Sequence, residues 1–159
     1  MEAVYYQKQT KYIVDNCTEE DIELHYAIVE SMVNDMDKSI YVAKMLISVE
    51  QGRAYKVTKD TGLVAFIYIH TENNWWYGNS IYGSDVVGSM LMFKEIVDRN
   101  GHMYLLFAPH SNGVRHIKSI CTGRSLRFYY TNGENYVQVR TKNIMPKFQR
   151  LYEKLGIVQ

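Results

Sequence analysis

The stretch from Arg53 to Gly83, "RAYKVTKDTGLVAFIYIHTENNWWYGNSIYG", constrains the fold more than any other part of this chain. β-branched and aromatic residues fill "RAYKVTK", "LVAFIYIHT" and "WWYGNSIYG", while "DTG" and "ENN" between them are turn formers. The stretch therefore predicts an antiparallel meander of three strands. It runs directly into "SIYGSDVVGSMLMFKEIVDRNG", residues Ser80 to Gly101, which reads as a strand end, a small-residue turn and an amphipathic helix. Val86, Met90, Phe93 and Val97 recur on one face of that helix, and Gly101 stands just beyond its end.

The flanking elements follow from the same rules. Upstream, Tyr12 to Val14 is a short strand. Thr18 caps a helix with Glu19, Glu20 and Asp21 in its first turn and Ile22, Tyr26, Val29 and Val33 at helical spacing. A second helix lies in "SIYVAKMLISVEQG", with Val42, Met45, Leu46 and Val49 as its stripe and Gly52 as its stop. Downstream, "MYLLFAP" is a nearly all-apolar run that suits a buried central strand. "NGVRHIKSICTG" predicts a short helix ending at Gly123. "SLRFYY" and "YVQVRT" form a hairpin turning at Asn132-Gly133, and Pro146 to Gly156 is a last helix with Phe148, Leu151 and Leu155 inward. This order packs as an α/β domain, a mixed and mostly antiparallel sheet with helices on both faces. With two Pro and no Ser- or Gly-rich run, residues 1–159 read as a single domain.

A formal net charge of +1 gives no bias toward nucleic acid, an anionic membrane or an acidic partner. Cys17 and Cys121 are too few for a disulfide framework, and neither Cys nor His has metal-ligand spacing, so no metal is expected. A reducing, cytoplasmic setting is the simpler reading. No window has the apolar length of a membrane span, and "MEAVYYQKQT" has no signal-peptide core. The 14 Tyr residues fit either half-buried strands or a binding surface.

The element order resembles the GNAT superfamily, the acetyl-CoA-dependent N-acetyltransferases. The local matches are "YIVDNCTEEDIELHY" with its strand and acidic capped turn, the meander feeding the Ser84–Asp98 helix, and "NGVRHIKSICTG", where Asn112 and Gly123 keep the spacing of the family's fourth helix. The family's cofactor signature is an Arg or Gln, two residues, Gly, one residue, then Gly or Ala. Aligned on Gly88, this chain has Gly83 at the Arg or Gln position and Val86 at the first Gly. The second half also resembles GNAT-like internal virion proteins of short-tailed phages, through the Trp-rich strand, the basic helix from Asn112 to Gly123 and the aromatic strand pair. A phage origin would place the protein in the host cytoplasm or the virion.

The resemblance implies acetyl-CoA as cofactor, with the amides of Val87, Gly88 and Ser89 on its pyrophosphate at a helix N-terminus. Asn112 and Ser119 would line the thiol end. Ser119 stands where the family often has a Tyr acid, and His110 is the first candidate base, ahead of His70 and Glu72. The acceptor is an unassigned amine or a protein partner. The cofactor's arm would lie between the strands "WWYGNSIYG" and "MYLLFAP", with Gly78, Asn79 and Pro109 as points of irregularity. Asp85 is the difficulty, because a carboxylate in the first turn competes with a phosphate, and it equally serves as a plain helix cap. Three functions stay open: N-acyltransfer, a catalytically silent GNAT scaffold in a virion or host contact, and nucleic-acid binding through Arg115, His116, Lys118, Arg124 and Arg127. Nucleic acid is the weakest of these. One ring of Trp75-Trp76 would be exposed for a partner or acceptor.

Overall fold

The computed structural model describes residues 2–31, 37–60, 62–72, 75–107, 115, 126–131 and 134–159. Strands β1 (Ala3–Gln7) and β2 (Thr10–Asn16) form a hairpin, followed by a 3₁₀ turn (Glu19–Asp21) and helices α1 (Ile22–Glu30) and α2 (Lys38–Glu50). The meander is β3 (Ala54–Lys59), β4 (Gly62–Glu72) and β5 (Trp75–Gly83), and it feeds α3 (Val86–Asn100). Then come β6 (Tyr104–Phe107), the pair β7 (Leu126–Thr131) and β8 (Glu134–Arg140), α4 (Thr141–Lys154) and β9 (Ile157–Val158). Among the described residues the strands form one sheet of nine, in the order β7-β8-β6-β5-β4-β3-β2-β1-β9. Every neighbouring pair is antiparallel except β5 with β6. No helix among the described residues is long and apolar enough to cross a membrane.

The expected α/β architecture, with a mostly antiparallel sheet between helices, is the one observed. Several elements differ in extent. β1 is absent from the sequence reading because its two-residue turn, Lys8 and Gln9, carries neither Gly nor Asn, and Lys8 itself takes φ 55°. β9 is too short to carry a periodic signal, and pairs only with Tyr6 and Gln7. Helix α4 begins at Thr141, so Pro146 lies inside it rather than at its start. Thr141 anchors that earlier start: its amide donates to Met103 O at 2.9 Å, and its Oγ1 accepts from Met103 N at 2.9 Å. On α3, Met90 and Phe93 face inward as expected, but Val86 is 49% exposed.

Two cores flank the sheet, and β4 builds both of them by strand alternation. Ala65, Ile67 and Ile69 enter the larger core with Met90, Leu91, Phe93 and Ile96 of α3 and Ile144 and Phe148 of α4. Phe66 and Tyr68 enter the smaller one with Ile22, Tyr26 and Val29 of α1 and Met45 of α2. Glu95 is buried in the larger core, where Tyr5 OH donates to it and Arg99 Nε pairs with it at 3.1 Å.

Candidate functional site

The one parallel pair in the sheet is also its least complete. β5 and β6 pair at Tyr77↔Tyr104 and Gly78↔Leu105, and not beyond. Further along, each strand stays with its other neighbour: β5 with β4 through Tyr82↔Phe66 and Gly83↔Ala65, and β6 with β8 through Leu106↔Gln138 and Phe107↔Val137. The pair therefore opens as a V whose vertex is Gly78 and Leu105. The vertex is tight, since a Cβ on Gly78 would come within 2.6 Å of Ile67 Cδ1 and 2.9 Å of Leu105 Cδ2. The register of β4 with β5 shifts between Phe66 and Tyr68, where Ser80 takes φ 48°. A bulge of this kind bends its strand and raises the local twist, which turns β5 away from β6. The irregularity anticipated at Gly78 and Asn79 thus falls just beyond them. Pro109 lies outside the described residues.

The open arm of β5 leads into α3, whose first turn is the anticipated phosphate site. Asp85 is the N-cap, and its Oδ1 accepts from Gly88 N at 2.9 Å. Ser89 N donates to the backbone carbonyl of Asp85 at 2.9 Å, as the first ordinary turn of the helix. Of the amides expected to meet a pyrophosphate, those of Gly88 and Ser89 are therefore engaged inside the chain. Gly88 itself packs on β4, and the Ser89 hydroxyl lies against Gly83. Asp85 is held from the sheet as well: Lys59 Nζ pairs with its Oδ2 at 3.1 Å, and Tyr12 OH donates to the same oxygen at 3.2 Å. Partial burial pushes the Asp85 carboxyl up, but the Gly88 amide and the Lys59 ammonium outweigh it and hold it below the usual carboxylate range. The group is an ionised carboxylate seated where an anion would bind. Lys59 and Tyr12 carry no motif spacing relative to Asp85, and only sheet register brings them there.

His110, Asn112 and Ser119 lie outside the described residues, as do His116, Lys118, Arg124 and Pro109's neighbours in 108–114. Arg115 is described and exposed. His70 is placed, and it begins a row at the vertex of the V. Its ring stacks on Tyr77 at 5.9 Å between centroids, Tyr77 stacks on Tyr104 at 5.6 Å, and the Arg140 guanidinium lies over Tyr104 at 5.5 Å. These residues are direct partners on β4, β5, β6 and β8, so they share one face, the one carrying α1 and α2. The sequence reading named His70 alone of the row, because the other members meet only through register.

A separate polar cluster is sealed beneath α1. His25, 1% exposed, stacks on Phe66 at 4.1 Å; its Nδ1 lies 2.7 Å from Tyr68 OH and 3.9 Å from Cys17 Sγ. Burial pushes the Cys17 thiol up to about 12 and the His25 imidazole down to about 4. A thiol that stays protonated is a packing group, not a nucleophile.

No family model matches the chain, and no curated protein matches it in sequence. Solved structures do match its fold. Ard1 from Thermoplasma volcanium superposes with a TM-score of 0.56 at 14% identity, over 81% of this chain and 95% of its own. The PaiA N-acetyltransferase from Thermoplasma acidophilum, solved in complex with coenzyme A, gives 0.51 at 14% identity, over 80% of this chain and 96% of its own. FdhC, a nucleotide-linked sugar GNAT in its apo form, gives 0.56 at 11% identity and extends over 97% of this chain and 96% of its own. The chain thus shares the GNAT fold with these structures.

Proposed function

We propose that this chain is an acyl-CoA-dependent N-acyltransferase, acting on an amine acceptor by direct attack on the thioester. The observation that carries this reading is the V between β5 and β6, a slot between two backbones that a narrow amide-bearing chain can enter and hydrogen-bond. Bound acyl-CoA supplies the thioester carbonyl that the acceptor amine attacks. The residues assigned to hold it are Val87, Gly88 and Ser89 at the phosphates and Asn112 and Ser119 toward the thiol. His110 would receive the amine proton as the C–N bond forms, and the CoA thiolate released by the broken C–S bond would face the Ser119 hydroxyl and leave as the thiol. The fit is uneven. The cofactor's arm would lie in the V, whereas phosphates at the first turn of α3 would meet Asp85 on the Gly88 amide, so binding would require that carboxylate to yield or the phosphates to sit outside it.

Asp85 favours a second reading, a GNAT scaffold without a cofactor that acts through a protein partner, as a virion or host-contact component. Calorimetric titration with acetyl-CoA separates the two. On the acyltransferase reading the wild-type protein binds, and Asp85→Ala binds about tenfold tighter, ~1.4 kcal/mol, because a repelling charge leaves and Lys59 is released. The lost cap costs about 1 kcal/mol of stability, so melting curves must first show that the variant folds. If neither protein binds at millimolar acetyl-CoA, the acyltransferase reading falls and the scaffold reading replaces it.

A further inference from the structure

The row at the vertex of the V has a charged end. Arg140 is exposed, and its guanidinium carbon lies over the Tyr104 ring, 5.5 Å from the ring centre, a cation–π contact that holds the group beside that ring. Among the described residues no carboxylate pairs with it, although Lys38, Lys56, Lys59, Lys94 and Arg99 each have one. The backbone adds to the fixity, since Arg140 pairs with Tyr104 in the ladder and also stands at the N-cap of α4. His70, Tyr77 and Tyr104 are half-buried, so the row leaves part of its aromatic surface beside a cation. A guanidinium held next to aromatic rings is suited to an oxyanion, whether carboxylate or phosphate, which it can meet with two parallel hydrogen bonds.

The position matters as much as the chemistry. Tyr77 and Tyr104 form the pair at which β5 and β6 are still joined, one residue before the vertex. A thioester reaching the closed end of the V therefore arrives beside this row. We propose that the row is the acceptor subsite, and that the acceptor is an amine bearing a second, anionic group, a carboxylate or a phosphate, gripped by Arg140 while Tyr77, Tyr104 and His70 bound its body. The amine part of this inference rests on the acyl-transfer reading, and the oxyanion part does not.

The test uses the whole chain and matched probes, glycine against glycinamide and O-phosphoethanolamine against ethanolamine. Binding is followed by NMR at the Arg140 Nε–Hε signal and the Tyr104 ring signals, with acetyl-CoA affinity measured separately. At least one anionic probe should shift both sets of signals saturably and bind about tenfold tighter than its neutral partner. Which of the two does so identifies the oxyanion. Arg140→Gln should erase the preference, and Arg140→Lys, which keeps the charge without the planar fork, should retain only part of it. Equal affinities within both pairs in the wild-type protein would overturn the subsite. A clear preference without any acetyl-CoA binding would uphold the oxyanion site and remove acyl transfer from it.

Discussion

A methyl group on Gly88 would stand 2.8 Å from Cγ2 of Val64, nearer than two carbons settle in a packed interior. Val64 is buried on β4, so neither side yields freely. Gly→Ala inside a helix ordinarily gains about 1 kcal/mol. Here Gly88→Ala should instead cost ~1–2 kcal/mol in urea unfolding, as overpacking does. A double-mutant cycle with Val64→Ala should return a coupling of about 1 kcal/mol. An exposed glycine kept for a ligand would show the ordinary gain and no coupling. Sequence alone made Gly88 the mark of a phosphate turn. Its partner, Val64, sits 24 positions earlier, and no local pattern points to it. Asp85 was legible as a cap because capping is local; its links to Lys59 and Tyr12 were not, because sheet register makes them.

The same division holds for whole elements. α2, α3 and the meander stood out because each carries enough repeats of its period to be read, together with Gly52 or Gly101 at a helix end. The β1–β2 hairpin did not, since Lys8 enters a positive φ without a glycine's signature. Helix α4 was misjudged at its start because Pro favours the first helical position, whereas here the Thr141 contact with Met103 sets the boundary. Pro146 therefore deprives Lys142 O of its helical donor, at an exposed position with no packing to offset the loss. Pro146→Ala should raise stability by ~1–3 kcal/mol in chemical denaturation. An unchanged midpoint would mean that the chain bends there for a reason beyond the helix.

At the scale of the molecule, the burial of His25 makes stability depend on acid. Its imidazole is depressed to about 4 in the folded chain, first by burial, with Lys56 adding to this and Asp21 opposing it. The unfolded chain then binds the extra proton, so stability present above about pH 6.5 drains away as pH falls toward about 4. Between about pH 7 and about pH 5 this amounts to about 2 kcal/mol, which urea unfolding of the wild-type protein against His25→Gln should reveal as a difference in slope with pH. Parallel slopes would show that His25 does not set the acid limit. The imidazole lies in the smaller of the two cores, and a single sheet is the shared wall between them. A wall finished on both sides by separate layers can lose its thinner cladding and still stand. Mild acid should thus peel α1 and α2 from a sheet that α3 and α4 continue to hold, laying bare the surface on which Phe66 and Tyr68 now rest.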